Sequence, residues 1–400
     1  MRVAWLAPYP VQLLEPSVRL ARRQEAFHPC SWIVNLSCAL AQRQDIELHL
    51  VTESTLVPCD QVIESGGIVF HVLKTSLPLV NRGFPPWLPL DVLSGFRYNV
   101  KRQVKEIGRI KPDLVHAHGT ERAYAMAGVA SGLPCLVSIQ GIVTELYEAD
   151  PTFGSSVIRH WEQQVVRKTK YFTCRTNFDT GFVHAFNPQA RVFTIHEAMN
   201  PVFFENAWAV CDSPRVLFVG SLEKPKGLAD LLKAMPSVKT RLPDAHLDVI
   251  GGGGAYLQEL RAICSRLGVE PAVTFWGQRT AEQIAGHHRQ AQVFVLSSHN
   301  ENSPNTLAEA MVSGMPVIAT NVGGIPSMVT DGETGLLVPP RDPTKLAEAI
   351  LRLLEHPAER ARLGKNARQV ARERHQPGCV AAQTVAAYGE ILRLEGGGRG

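Results

Sequence analysis

Residues 301 to 311 read ENSPNTLAEAM, two glutamates enclosing a Ser-Pro-Asn-Thr segment. Just upstream the strand-like run VFVLSS ends at Ser298, and a helical pattern begins near Ser303. Ser303 suits the N-cap, where its hydroxyl would accept a backbone N–H. Pro304 suits the first helical position, where its missing N–H is no loss. The backbone donors of Asn305, Thr306 and Leu307 are then expected to point out of the helix start, an arrangement that binds phosphate. Glu301 in the loop and Glu309, about one and a half turns into the helix, would repel a phosphate. Each is therefore expected to face hydroxyl groups. A diphosphate with a sugar at either end meets that demand, one carboxylate holding a ribose and the other a transferred hexose. A carboxylate in a first turn also favours the helix dipole by itself, which accounts for one glutamate and leaves the pair to be explained.

A second chemistry-bearing stretch is VLFVGSLEKPKGLADLLKAM. Its strand ends at Gly220, followed by Ser221, and Lys226-Gly227 precedes a helical pattern. A lysine in such a loop supplies a mobile point charge for phosphate, with Lys224 close by. The spacing is not that of a P-loop. His116 and His118 lie two apart on a strand and face the same side, but no third metal ligand is recognisable near them. No D-x-D occurs in the chain, so no metal is expected. The GGGG at residues 251 to 254 lacks the last glycine of a dinucleotide fingerprint, because Tyr256 stands there. It is expected to form a strand-to-helix turn. Arg97, Lys101, Lys105 and Arg109 form a basic stripe opposite the apolar Val100, Val104 and Ile107, after a proline-rich loop with Phe84 and Trp87. Such a helix docks on anionic lipid or is a solvated face.

These residues need elements to hold them. Short apolar runs recur along the first half (RVAWLA, IELHLV, IVFHVL, DLVHAH, PCLVSI, KYFTC), and the pattern restarts after residue 205 with RVLFVG, HLDVI, AVTFWG, VFVLSS and PVIAT. Strands alternating with helices imply parallel sheets covered on both faces. The fold class expected is α/β, two Rossmann-like doubly wound domains facing a cleft. The expected domains are residues 1–205 and 206–376, then a helix over 377–394 and a disordered tail over 395–400. Ligands of such sheets bind beyond the carboxyl ends of the strands, and each motif above follows a strand.

Composition narrows the class. The 400 residues are 45% hydrophobic and 20% charged with a net charge of +4, which reads as soluble and globular and gives no reason to expect nucleic acid. No run approaches the ~18 apolar residues of a membrane span, and MRVAWLAPYP reads as a first strand rather than a signal peptide. Eight scattered cysteines without a C-x-x-C pair suggest free thiols in a reducing cytoplasm.

The segments VGSLEKPKG, VIGGGG, VTFWGQ, SSHNENSPNTLAEAMVSGMPVIATNVGGIP and DGETGLLVPPRDP resemble, in order and spacing, the family 4 glycosyltransferases, retaining enzymes of GT-B architecture. The resemblance covers most of residues 215 to 345. It implies that Glu301 contacts the donor sugar, Glu309 the nucleotide ribose, Lys226 the diphosphate, and the amides of Asn305, Thr306 and Leu307 the phosphates. It also implies a final helix crossing back to the N-terminal domain. The expected reaction transfers a sugar from a nucleotide diphosphate sugar to a saccharide, lipid-linked or small-molecule hydroxyl acceptor, with no cofactor beyond that co-substrate.

The chain departs from the family at three places. Ser221 stands where an arginine is common; a segment ending HPCSWIVNL, with Cys30, Ser31 and Trp32, replaces a glycine-rich loop; Gln140 replaces a histidine beside the reacting centre. DLVHAHGT resembles the family's paired-histidine strand, which makes His118 a cleft-lining candidate. Glutamine cannot act as a base, so a front-face mechanism is expected, in which the departing phosphate oxygen takes the acceptor's proton. The alternatives are a GT-B epimerase or hydrolase, and a noncatalytic partner of another transferase. The sequence is silent on sugar, base, acceptor and oligomeric state.

Overall fold

The computed structural model describes residues 1–21, 31–75, 90–146, 153–205, 207–209 and 213–396. They divide into two compact units, Met1–Ala198 together with the segment from Pro377, and Met199–Gln376.

Unit 1 is built on one sheet of eight strands: β1 Arg2–Leu6, β2 Glu47–Ser54, β3 Gln61–Ser65, β4 Ile68–Lys74, β5 Leu114–His118, β6 Cys135–Ser138, β7 Tyr171–Cys174 and β8 Arg191–Thr194. Their order is β3-β4-β2-β1-β5-β6-β7-β8. All neighbours are parallel except the β3–β4 pair. Along β1 the side chains alternate between two cores. Val3 and Trp5 join Ile33, Leu40, Phe70, Val380 and Tyr388. Ala4 and Leu6 join Val51, Ile107, Val115, Val166 and Phe172. Burial on both faces is why β1 and β5 read as apolar runs rather than as alternation. The helix Pro377–Gly396 packs on the first of these faces beside the helix Ser31–Ala41.

Unit 2 carries six parallel strands: β9 Arg215–Val219, β10 His246–Ile250, β11 Val273–Gly277, β12 Val293–Leu296, β13 Val317–Thr320 and β14 Leu336–Val338. Their order is β11-β10-β9-β12-β13-β14. In β9, Val216 and Phe218 pack with the helices Leu228–Arg241 and Pro343–Glu355. Leu217 and Val219 pack with Ala281–Gln290 and Asn305–Ser313. The GGGG segment joins β10 to the helix Tyr256–Leu267, and Gly251 N donates to Gly277 O at 2.9 Å.

Several expectations are corrected. The division between units falls at Ala198/Met199 and not after residue 205. The short helix Pro201–Glu205 belongs to unit 2, because Phe203 is buried in its core. The last helix extends to Gly396, so residues 395 and 396 are helical, while 397–400 lie outside the described residues, as do Cys30, Phe84 and Trp87. Ser31 and Trp32 do not close a loop; they open the helix Ser31–Ala41. Strands β3, β8 and β14 are not visible in the sequence as apolar runs. β3 is half-exposed along its length, β8 is exposed at both ends, and β14 spans three residues. No helix among the described residues is long and apolar enough to cross a membrane.

Candidate active site

The carboxyl ends of β9 and β12 bring the two motifs of unit 2 together. The helix after β12 is Asn305–Ser313, one residue shorter at its start than the sequence suggests. Pro304, at φ −68° and ψ 117°, is its N-cap and makes no side-chain cap. An extended ψ keeps Pro304 outside the helix, so neither Ser303 at the cap nor Pro304 in the first turn holds as expected. The Pro304 carbonyl accepts from Leu307 N at 3.2 Å and Ala308 N at 3.3 Å. The Leu307 amide is thus engaged, and the outward donors reduce to Asn305 and Thr306. The buried Asn305 side-chain Oδ1 has no hydrogen-bond partner among the described residues.

Glu301 sits in the loop before this helix. Its Oε1 accepts from Lys226 Nζ at 2.6 Å and from Ser298 Oγ at 2.9 Å. Its backbone carbonyl accepts from Gly324 N at 3.0 Å. Gly323, at φ 52°, packs so closely on that carbonyl that a Cβ would collide with it, a conformation and a contact that both require glycine. Lys226 closes the one-turn 3-10 helix Lys224–Lys226, which is tied to the β12 loop by a 2.7 Å bond from His299 N to Pro225 O. Gly220 follows β9, its N–H bonded to Ile250 O at 3.0 Å, and the exposed Ser221 donates to Glu223 Oε2 at 3.2 Å. Glu309 is 8% exposed. Burial alone pushes its carboxyl up to about 8, so the group is mostly protonated at neutral pH.

The histidines of β5 have different surroundings. His116 is held between Tyr388 Oη at 2.7 Å and Ser138 Oγ at 2.6 Å, and it stacks on Trp5. Burial lowers its pKa to about 3. It is a satisfied core residue that fastens the last helix to the sheet. His118 Nε2 lies 3.2 Å from Trp32 Nε1. An indole N–H only donates, so Nε2 carries the lone pair and Nδ1 the proton. Nδ1 is buried without a partner among the described residues, and burial holds the ring neutral. No group of three or more metal-ligating side chains forms among the described residues.

Arg175 and Glu197 form a buried pair that the motifs do not reveal. The buried Arg175 guanidinium pairs with Glu197 and also donates to the backbone carbonyl of Gln140. Together with Trp32, His118, Ile139 and His196 they line a small pocket. Gln140 is thereby positioned through its main chain. On the helix Arg97–Ile110, Val100, Val104 and Ile107 pack inward. Arg97, Lys101, Lys105 and Arg109 are exposed.

Two Rossmann-like sheets, with a paired lysine and glutamate beside a helix start at the strand ends of the second, place the chain in the class of GT-B sugar-nucleotide transferases. Residues 205–370 match Glycosyl transferases group 1 and residues 31–202 match Glycosyltransferase Family 4. The chain belongs to this nucleotide-sugar-dependent, retaining family. A D-inositol 3-phosphate glycosyltransferase of Corynebacterium efficiens is 27% identical over 99% of this chain and 96% of its own. Its counterpart in Corynebacterium glutamicum is 36% identical over 45% of this chain, and that alignment spans only 44% of the relative. A GDP-mannose-dependent alpha-(1-6)-phosphatidylinositol monomannoside mannosyltransferase of Mycolicibacterium smegmatis is 34% identical over 41% of this chain and 45% of its own. Among solved structures, sucrose-phosphate synthase of Thermosynechococcus elongatus superposes with a TM-score of 0.80 at 21% identity, covering 98% of this chain and all of that one, 100%. Anabaena HepE in complex with UDP gives 0.72 at 17% identity over 98% and 100% of the two chains.

Proposed function

We propose that unit 2 binds a nucleoside diphosphate sugar and unit 1 the hydroxyl acceptor, and that the chain transfers the sugar by a front-face route without a metal. The observation that carries this reading is the Lys226–Glu301 pair at the carboxyl ends of the central strands β9 and β12, beside the start of the helix that carries Asn305, Thr306 and the buried Glu309. On donor arrival the Lys226 ammonium leaves Glu301 for the diphosphate, which frees Glu301 to accept from hydroxyls of the transferred sugar. Glu309 accepts from the ribose. Gly220 and Ser221 line the phosphate side, and Ser303 and Pro304 shape the loop that leads into the helix. As the bond from the anomeric carbon to the phosphate oxygen breaks, charge grows on the departing diphosphate, where Lys226 and the helix amides oppose it. The acceptor oxygen bonds to the same face, and its proton passes to the leaving phosphate oxygen. His118, a neutral N–H donor, and Gln140, held by Arg175, orient the substrates and accept no proton.

The relatives named above act on D-inositol 3-phosphate or a phosphatidylinositol mannoside, which favours a polyol or saccharide acceptor, lipid-linked included. A lipid-linked acceptor would bring the basic helix Arg97–Ile110 to the anionic cytoplasmic membrane face. No co-sedimentation with anionic vesicles at low salt would remove that element. A panel of UDP- and GDP-sugars assayed for nucleoside diphosphate release, with and without polyol and saccharide acceptors, tests the whole. Acceptor-dependent release with a retained anomeric configuration by NMR is expected. Release without acceptor would favour a hydrolase or epimerase, and no release with any donor a noncatalytic partner.

A further inference from the structure

Lys226 does not hold its place alone. Gly227, at φ 65°, sits so close to the Ser297 carbonyl that a Cβ would collide with it. Ser297 Oγ donates to the Lys226 carbonyl at 3.4 Å. His299, three residues past the end of β12, meets the lysine loop twice. Its backbone N–H donates to Pro225 O at 2.7 Å, and its Nε2 lies 2.7 Å from Asp230 Oδ2 in the helix that Lys226-Gly227 opens. Asp230 is almost fully buried, and its second oxygen accepts from Lys233 Nζ at 3.0 Å. From the His299 side of this clasp the chain runs through Asn300 to Glu301, and from the other side Lys226 reaches Glu301 across 2.6 Å.

We infer that His299 is a positioning residue for the reaction: clasped to Asp230, it fixes the Lys226 loop against the Glu301 loop so that the ammonium exchanges between carboxylate and diphosphate by side-chain motion alone. This rests on the donor-site reading above. The geometry favours it over a purely structural role because His299 joins the two loops that carry the two charged groups. It is not buried in either core cluster of unit 2. A lysine side chain loses much of its entropy when it binds. A fixed backbone confines that loss to the side chain, whereas a loose loop would add backbone ordering to it.

The test is a double-mutant cycle of His299→Ala and Lys226→Ala, with UDP and GDP binding measured by calorimetry and kcat/KM measured for the preferred donor. His299→Ala is expected to weaken nucleoside diphosphate binding by about three- to tenfold and to lower kcat/KM alike, with a lower melting temperature but a native fold at the assay temperature. In the Lys226→Ala background the same change should have no further effect. His299→Gln, whose amide can donate to Asp230 from nearly the place of Nε2, should recover most of the loss. Additive losses in the cycle would overturn the inference and assign His299 a role independent of Lys226. No loss in the single variant would overturn it too. If Lys226→Ala itself left UDP and GDP binding unchanged, the donor-site reading would fail, and this inference with it.

Discussion

With Glu309 at the ribose, as proposed, donor affinity should depend on pH in a calculable way. Its carboxyl is buried with no other group to oppose the effect, and it titrates near 8. Two vicinal ribose hydroxyls donate best to an ionised carboxylate, since charge-assisted bonds are roughly twice as strong as neutral ones. The competent form is then about one part in ten at pH 7 and about one in a hundred at pH 6, and the apparent dissociation constant rises by the reciprocal of that fraction. Affinity should therefore climb about tenfold from pH 6 to pH 7 and level off above pH 8. The phosphates of the nucleotide titrate in the same range, so the measurement is comparative. Calorimetry with UDP or GDP on the native protein and on Glu309→Gln shares the phosphate contribution, and the difference isolates Glu309. Binding to the native protein should release a proton near pH 7, visible as an enthalpy that varies with buffer, and the variant should release less. Parallel pH profiles for the two proteins would refute the assignment of Glu309 to the ribose.

The same raised carboxyl bears on stability: the folded state keeps a proton that the unfolded chain gives up, so stability falls as pH rises from about 4.5 toward 8, by up to ~1.4 kcal/mol for each pH step of one across that window. Denaturant titrations should show a steeper fall in the native protein than in Glu309→Gln. Glu301→Gln removes the charge that holds Lys226. Free UDP or GDP should then bind up to about tenfold more tightly, for ~1.4 kcal/mol of lost charge assistance, while turnover falls; weaker binding would contradict the partner exchange. Gly227→Ala forces a Cβ toward the Ser297 carbonyl at positive φ, and a loss of roughly 2 kcal/mol or more should appear in the denaturation midpoint. Tyr388→Phe leaves His116 Nδ1 without its 2.7 Å partner and should cost about 1–3 kcal/mol, read from the unfolding of unit 1.

The legible parts of the site are those written in one continuous segment. Glu301 and Glu309 flank a helix start because strand, loop and helix follow one another within VFVLSSHNENSPNTLAEAM, and local propensity suffices to place them. The one-residue slip at the cap arises because proline fixes φ but not ψ, so Pro304 can stand inside or outside the helix. The Lys226–Glu301 pair spans 75 residues, and no local pattern encodes which rotamers meet. Arg175 with Glu197 and His299 with Asp230 are hidden for the same reason. In the fold, the central strands declare themselves through burial on both faces. Edge strand β8 and the half-exposed β3 alternate weakly because water covers part of them. Trp32 reads as loop because the helix it opens follows residues with no capping signature.

The core of unit 1 is completed by Val380, Ala381, Tyr388 and Ile391, which follow unit 2 in the chain. During synthesis, which proceeds from the amino end, unit 2 has all of its residues before unit 1 does. The earlier-made domain must wait, with the face of β1 that carries Trp5 uncovered, until the later one is finished. Release of a chain ending at Gln376 should yield a folded unit 2 beside an aggregation-prone unit 1, so damage at the far end of the sequence would be felt first in the domain that began it.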